Sequence, residues 1–214
     1  MALSKADFNN INVTPAASKK LKWNASANGF ETGDVGGSMV LLSTLTASSS
    51  ATLDFTSGID STYKEYVFKF IDIHPQTNFR HLGFQANVAG ASGFNETITS
   101  TAFINQHDEG DSATILQLEG DGIQQQATGF QIVLYGMGNE NDESGNGTLH
   151  LFDPSNTTFV KHFIADTNTH TDNDRSSRFF VGGYFNTTSA IDEIQFKMSS
   201  GNIDSGIIKM YGIV

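Results

Sequence analysis

The stretch Ser199–Val214, SSGNIDSGIIKMYGIV, alternates with period two. Ile207, Lys209, Tyr211 and Ile213 fall on one side, and Ile208, Met210, Gly212 and Val214 on the other. Period two is the mark of a β-strand. Both sides carry apolar residues. Tyr211 and Ile213 on one face, and Ile208 and Met210 on the other, are therefore all expected to be at least partly covered. Asp204 and Gly206 mark a turn just before the strand. A sheet that holds this segment in its core cannot close without it.

The same pattern recurs upstream from Ser38. SMVLLSTLT (38–46), ATLDF (51–55), KEYVFKFIDI (64–73), RHLGFQANV (80–88), ETITSTAFI (96–104) and SATILQLE (112–119) come first. GFQIVLYG (129–136), GTLHLF (147–152), FVKHFIAD (159–166), SRFFVGGYF (177–185) and IDEIQFKM (191–198) follow. In the third segment Tyr66, Phe68 and Phe70 share one face, and Val67, Ile71 and Ile73 the other. In the fourth, Leu82, Phe84, Ala86 and Val88 point inward and the polar residues outward. No stretch has the length and period of an amphipathic helix, and no internal repeat is present. Short strands with turn-rich connections predict an all-β fold: an antiparallel β-sandwich, jelly-roll-like, with a closed barrel as the alternative.

The chain has 214 residues, a length that sandwiches and barrels reach as one domain. Phe (17) far outnumbers Tyr (5) and Trp (1), so the core is expected to rest on phenylalanine. Lys and Arg number 12 against 23 Asp and Glu, for a net charge of −11. Nucleic acid needs a basic footprint, and an anionic membrane surface repels acid, so neither is an expected partner. There is no cysteine, hence no disulfide, thiolate nucleophile or thiolate metal site, which fits assembly in a reducing cytoplasm. MALSKADFNN lacks the apolar core of a secretory signal, and no run approaches the length of a membrane span.

Residues 1–37 differ from the body at 38–214. Ser4 and Asp7 suggest a capped helical turn over Lys5–Asn10. Lys5, Lys19, Lys20 and Lys22 place a third of the basic residues in this segment. Its large apolar groups, Leu21, Trp23 and Phe30, are isolated and show no strand period. The segment reads as an extended arm that attaches the domain to a partner, with Leu21, Trp23 and Phe30 as the contact residues and Trp23 as the anchor.

Chemistry-bearing residues are scattered. Oxygen ligands crowd in NENDES (Asn139–Ser144), HDEGD (His107–Asp111) and DTNTHTDND (Asp166–Asp174), but none matches a calcium-binding loop, and solvated turns account for all three. His74, His81, His107, His150, His162 and His170 show no zinc-binding spacing. There is no G-x-S-x-G elbow. Asp108, Glu109 and Asp111 are the best placed acids for glycoside chemistry, and they fall in one loop. Gly36-Gly37 and Gly182-Gly183 lack a phosphate-loop context and mark turns or bulges. The chain is expected to be non-enzymatic, with no cofactor and no resident metal. Tyr135, near NENDES, and Phe79, beside Arg80, are possible stacking platforms for a sugar.

LKWNASANGFETGD (Leu21–Asp34), FTSGIDSTYKEYVFKFIDIHP (Phe55–Pro75), the region from FVKHFIADTN to GYFNTTSAI (Phe159–Ile191) and the ending SGNIDSGIIKMYGI resemble virion structural proteins of tailed bacteriophages. The likeness is greatest to those of phages infecting marine bacteria and cyanobacteria, and it covers most of the chain. The resemblance implies a structural component of the virus particle, either an exterior capsid decoration or a tail-fibre protein, assembled in the host cytoplasm beside other virion proteins. A homo-oligomer is expected, with a trimer favoured. The alternative is a glycan- or receptor-binding fibre module. The resemblance brings no catalytic or binding residue with it.

Overall fold

A computed structural model describes residues 19–26, 28–34 and 38–214. The chain divides into two compact units, Met1–Val40 and Leu41–Val214. In the first, β1 (Lys19–Trp23) and β2 (Phe30–Asp34) form an antiparallel hairpin. The remaining strands are β3 (Met39–Thr46), β4 (Leu53–Phe55), β5 (Glu65–Pro75), β6 (Arg80–Val88), β7 (Ile98–Asp108), β8 (Thr114–Leu118), β9 (Gln125–Ala127) and β10 (Gln131–Met137). After them come β11 (Gly145–Phe152), β12 (Lys161–His170), β13 (Arg175–Phe185), β14 (Ile191–Met198) and β15 (Ile203–Ile213).

The sandwich is a jelly roll with two insertions. Its eight framework strands, in chain order, are β3, β4, β5, β6, β10, β11, β14 and β15. They lie as β3-β15-β5-β11 in one sheet and β4-β14-β6-β10 in the other, the interleaving that two Greek keys produce. The first insertion, β7 to β9, separates β6 from β10. The second, β12 and β13, follows β11. Both extend the first sheet, which runs on as β11-β12-β13-β7-β8 and reaches nine strands against four in its partner.

Phenylalanine joins the two sheets. Phe196 on β14 meets Phe55 and Phe84 of its own sheet at centroid distances of 6.0 and 6.2 Å, and Phe68 and Phe70 of the facing sheet at 5.4 and 5.5 Å. Phe84 carries the packing on to Phe163 at 5.0 Å and Phe185 at 5.7 Å. Most of these contacts are edge-to-face or tilted, the arrangement that aromatic quadrupoles favour. β15 lies between β3 and β5, with Ile208 and Met210 fully buried and Tyr211 and Ile213 half-buried, as the alternation predicts.

Four expectations change. The turn expected at Asp204 and Gly206 lies inside β15, which already begins at Ile203 and pairs there with β5. Ile73 is buried in the core with Phe70 rather than facing away from it. The cause is a bulge at Asp72, which has φ of 51° and whose N–H donates to Asn146 Oδ1 at 2.9 Å. Gly206 crosses this bulge at φ of 118°, where a Cβ would come within 2.7 Å of the Asp72 carbonyl oxygen, so glycine is required. The polar residues of β6 are covered rather than solvated, with Gln85 and Asn87 both buried. The arm forms the β1–β2 hairpin where no period was visible. The alternation is confined to Lys20, Leu21, Lys22 and Trp23, and the register is held by the stacked pair Trp23–Phe30 at 4.4 Å and the ion pair Lys22–Glu31 at 3.1 Å. The helical turn expected over Lys5–Asn10 lies outside the described residues.

Phe196→Ala is expected to cost about 3–5 kcal/mol, the range for deleting a fully buried Phe, as read by chemical denaturation. Deleting Ile207–Val214 removes the strand between β3 and β5 and should give insoluble or molten protein, read by loss of near-UV circular dichroism. A soluble truncation with an unchanged melting transition would contradict the placement of β15.

Candidate functional site

The unequal width of the two sheets creates a site. The small sheet ends at β10, while the large one continues through β13, β7 and β8. The edge carbonyls of β10 are held by β12: Thr167 Oγ1 donates to Val133 O at 2.6 Å and Thr169 Oγ1 to Tyr135 O at 2.8 Å. Beyond β10, the inner face of β7 and β8 has no strand over it. Gln106 and Gln117 stand there in place of core residues.

Two buried amides pin the β7–β9 insertion to the sandwich. Gln85 Nε2 donates to Glu96 O and Gly129 O, each at 3.0 Å, and so ties the segments that enter and leave the insertion. Gln131 Nε2 donates to Gly122 O at 2.7 Å and holds the turn that follows Glu119. Each replaces water on a backbone carbonyl that folding would otherwise strand.

The result is a cavity of about 190 Å³ whose lining includes Phe79, Gln106, Gln117, Glu119, Tyr135, Asn173 and Arg175. The Tyr135 ring stacks on His81 at 4.5 Å and leans on Phe179 at 5.5 Å. Burial, together with the carboxylates of Glu119 and Asp121, pushes the Tyr135 hydroxyl up to about 12. Phe79 is 39% exposed and stands edge-on to both His81 and Tyr135. Its backbone has φ of 51°, unfavourable for a bulky side chain, and Gly136 packs against its ring. Arg175 makes one long hydrogen bond, Nη1 to Gln106 Oε1 at 3.5 Å, and its buried Nε has no partner.

Of these residues, the sequence singled out Phe79 and Tyr135, and the structure brings the two together, with His81 packed against both rings. It did not point to Gln106, Gln117, Glu119 or Arg175, and Asn173 figured only as part of the acidic stretch Asp166–Asp174, read there as a solvated turn. They come from three separated stretches that meet only through the insertions, and no local spacing announces them.

The other candidates are dispersed. Asp108 caps its own turn, accepting from Ser112 N–H at 2.7 Å and Ala113 N–H at 2.9 Å and also from the Ser112 hydroxyl. The Ser112 side chain, followed by the Ala113 backbone, holds its carboxyl down at about 2. Asp111 pairs with His107 at 3.0 Å. In NENDES, Glu143 is buried and accepts from Glu140 N–H at 2.5 Å. The third acidic stretch is only partly a loop, because Asp166–His170 continues β12. Among the described residues, no group of three or more His, Asp or Glu is arranged to hold a metal ion.

The expected attachment residues lie on one hairpin. Leu21, Trp23, Phe30 and Thr32 share a face, with Leu21 opposite Thr32 and Trp23 opposite Phe30, while Lys20, Lys22 and Glu31 share the other. Trp23 is 61% exposed. A second apolar surface lies on the outer side of the edge strand β8. Leu116 and Leu118 there are 73% and 70% exposed, and Phe103 opposite Leu118 stacks on Phe180 at 4.6 Å.

His81 links the site to pH. Its Nδ1 accepts from Gly136 N–H at 2.8 Å, and burial lowers its pKa from the ordinary 6.5. A histidine held neutral in the folded state gives stability that is complete above the unfolded pKa and is lost as pH falls below it. The melting temperature should therefore drop between about pH 7 and pH 5, and His81→Asn should flatten part of that slope. Identical pH profiles for the two proteins would show that His81 is not a source of it.

No protein-family model matches the chain, and neither any curated protein nor any solved structure does.

Proposed function

We propose that the chain is a non-enzymatic structural component of a tailed-bacteriophage virion, an exterior capsid decoration or fibre protein anchored through residues 1–37. The observation that carries this reading is the one-sided hairpin. Its apolar face presents Leu21, Trp23 and Phe30 to solvent, and its opposite face carries Lys20 and Lys22 in a chain of net charge −11. Exposed aromatics on a short, separately folded element are the usual means of anchoring one protein on another. The resemblance of several long stretches to virion structural proteins supports the same reading. So does a cysteine-free all-β sandwich, suited to assembly in a host cytoplasm and to exposure on a particle.

Self-association belongs to this reading, and the trimer remains the favoured state. On the outer face of β7 and β8 the strand residues (Thr101, Phe103, Asn105 and His107 beside Thr114, Leu116 and Leu118) include no acid, and the nearest carboxylate, Asp111 of the connecting turn, is paired with His107. Acidic copies meet there without the like-charge cost that other faces impose.

The test is location. Antibody against the chain should label purified virions in electron micrographs, and mass spectrometry should count hundreds of copies for a head protein or tens for a tail protein. Absence from purified particles overturns the proposal. Trp23→Ala should reduce incorporation several-fold while leaving the melting temperature of the body unchanged. Leu116→Ser with Leu118→Ser should lower the mass measured by light scattering if β8 mediates assembly.

A further inference from the structure

We infer that the cavity between β7–β8, β10 and the β12–β13 turn is a binding site for one residue of a neutral saccharide. Its chemistry matches the rim and face of a pyranose. Sugar hydroxyls both donate and accept, and the lining offers both partners: Glu119 accepts, Arg175 donates, and Asn173 and Gln117 do either, while Gln106 is already held by Ser177 and Arg175. The apolar C–H face of a sugar needs an aromatic wall, and Phe79 supplies one that is partly free of other contacts. Tyr135 cannot take that role, because His81 and Phe179 already pack on its ring; it contributes its hydroxyl.

Two features separate this cavity from an ordinary wet cleft. The Arg175 guanidinium is underused, with an unpartnered buried Nε and a single long bond to Gln106. The buried Nε is out of a ligand's reach, but the terminal Nη groups, tied only by that long bond, can donate to a ligand oxygen. Phe79 is held at positive φ, and a flexible polar residue at that turn would relieve the strain. A side chain kept in an unfavourable backbone conformation with its ring half-exposed contributes little to the core.

The charge balance selects the class of ligand. Glu119 and Arg175 offset each other within the cavity, and Asp121 lies close enough to raise the Tyr135 hydroxyl. A second anion is therefore disfavoured, so uronic and sialic acids are poor candidates, as are phosphates. The inference is independent of the virion proposal: a structural protein without this activity and a glycan binder found elsewhere are both coherent outcomes.

The experiment uses the full-length, isotope-labelled chain. Methyl glycosides of glucose, galactose, mannose, N-acetylglucosamine and N-acetylgalactosamine are titrated to about ten millimolar, with sodium glucuronate as the charged comparator, and amide shifts are followed by NMR. At least one neutral glycoside should move the amides of Gln117, Glu119, Gly136 and Asn173 saturably. Arg175→Gln and Phe79→Asn, the latter tolerant of positive φ, should each raise the dissociation constant by about tenfold or more. No saturable shift with any neutral glycoside overturns the inference. So do shifts that map elsewhere, binding of glucuronate alone, or full affinity in both variants. Because the wild-type shift map locates the ligand by itself, a variant that fails to fold does not protect the idea.

Discussion

The contact between Phe196 and the rings around it sets the spacing on which the rest of the molecule depends. Phe55, Phe84 and Phe196 from one sheet meet Phe68, Phe70, Phe163 and Phe185 from the other, and every one of these side chains is buried. Full burial of a Phe side chain contributes roughly 2–3 kcal/mol, so this cluster outweighs any polar contact in the chain. It also fixes the distance between the layers at the value that edge-to-face rings require. With that distance set, β10 lies where Thr167 and Thr169 can reach its carbonyls. A sandwich with smaller residues at these positions would bring the sheets closer and break those two bonds.

The insertions then turn a symmetrical framework into an asymmetrical one. An eight-strand jelly roll covers its own inner faces, but here one sheet has been widened and the other has not. The added inner surface is completed by polar means. Gln85 and Gln131 hold the inserted segments by their backbone carbonyls, and Gln106 is braced by donating to Ser177 Oγ at 3.0 Å. Buried amides of this kind tolerate few substitutions, because any apolar replacement strands several carbonyls at once. The overhang is therefore rigid at its base and polar at its mouth, which is the condition for a preformed ligand site rather than for further core.

The sandwich itself was legible in the sequence because its signal is local. Alternation in IQFKM (194–198) and in the final strand follows directly from the two-residue period of a pleat, and those residues fall in β14, which begins at Ile191 ahead of a register shift. What escaped the pattern depends on contacts far apart in the chain. Ile73 turns inward because of a bulge that Asn146 and Gly206 stabilise from neighbouring strands. Lys161, read simply as a strand residue, is fully buried because its ammonium donates to Phe159 O at 2.7 Å and Thr187 O at 3.3 Å. The cavity escaped for the same reason. Phe79 and Tyr135 are recognisable as aromatics near polar loops, but Glu119 and Arg175 reach them only after β7–β8 and β12–β13 have joined one sheet.

The hairpin poses a different energetic problem from the body. Two strands alone are marginal in water, and β1–β2 has one stacked pair, one ion pair and the Asn24–Asn28 side-chain bonds at its turn to hold its register. The ion pair is largely exposed and contributes little. Most of the available stabilisation lies in the uncovered faces of Trp23 and Phe30, and burying them against a partner would release it. In the proposed attachment, binding and completion of the hairpin are therefore one event: the partner surface supplies the apolar layer that a two-stranded element lacks. The affinity of such an anchor is set less by its contact area than by how well the register between Trp23 and Phe30 is formed beforehand, since each ordered residue that the partner does not have to fix lowers the entropic cost of docking.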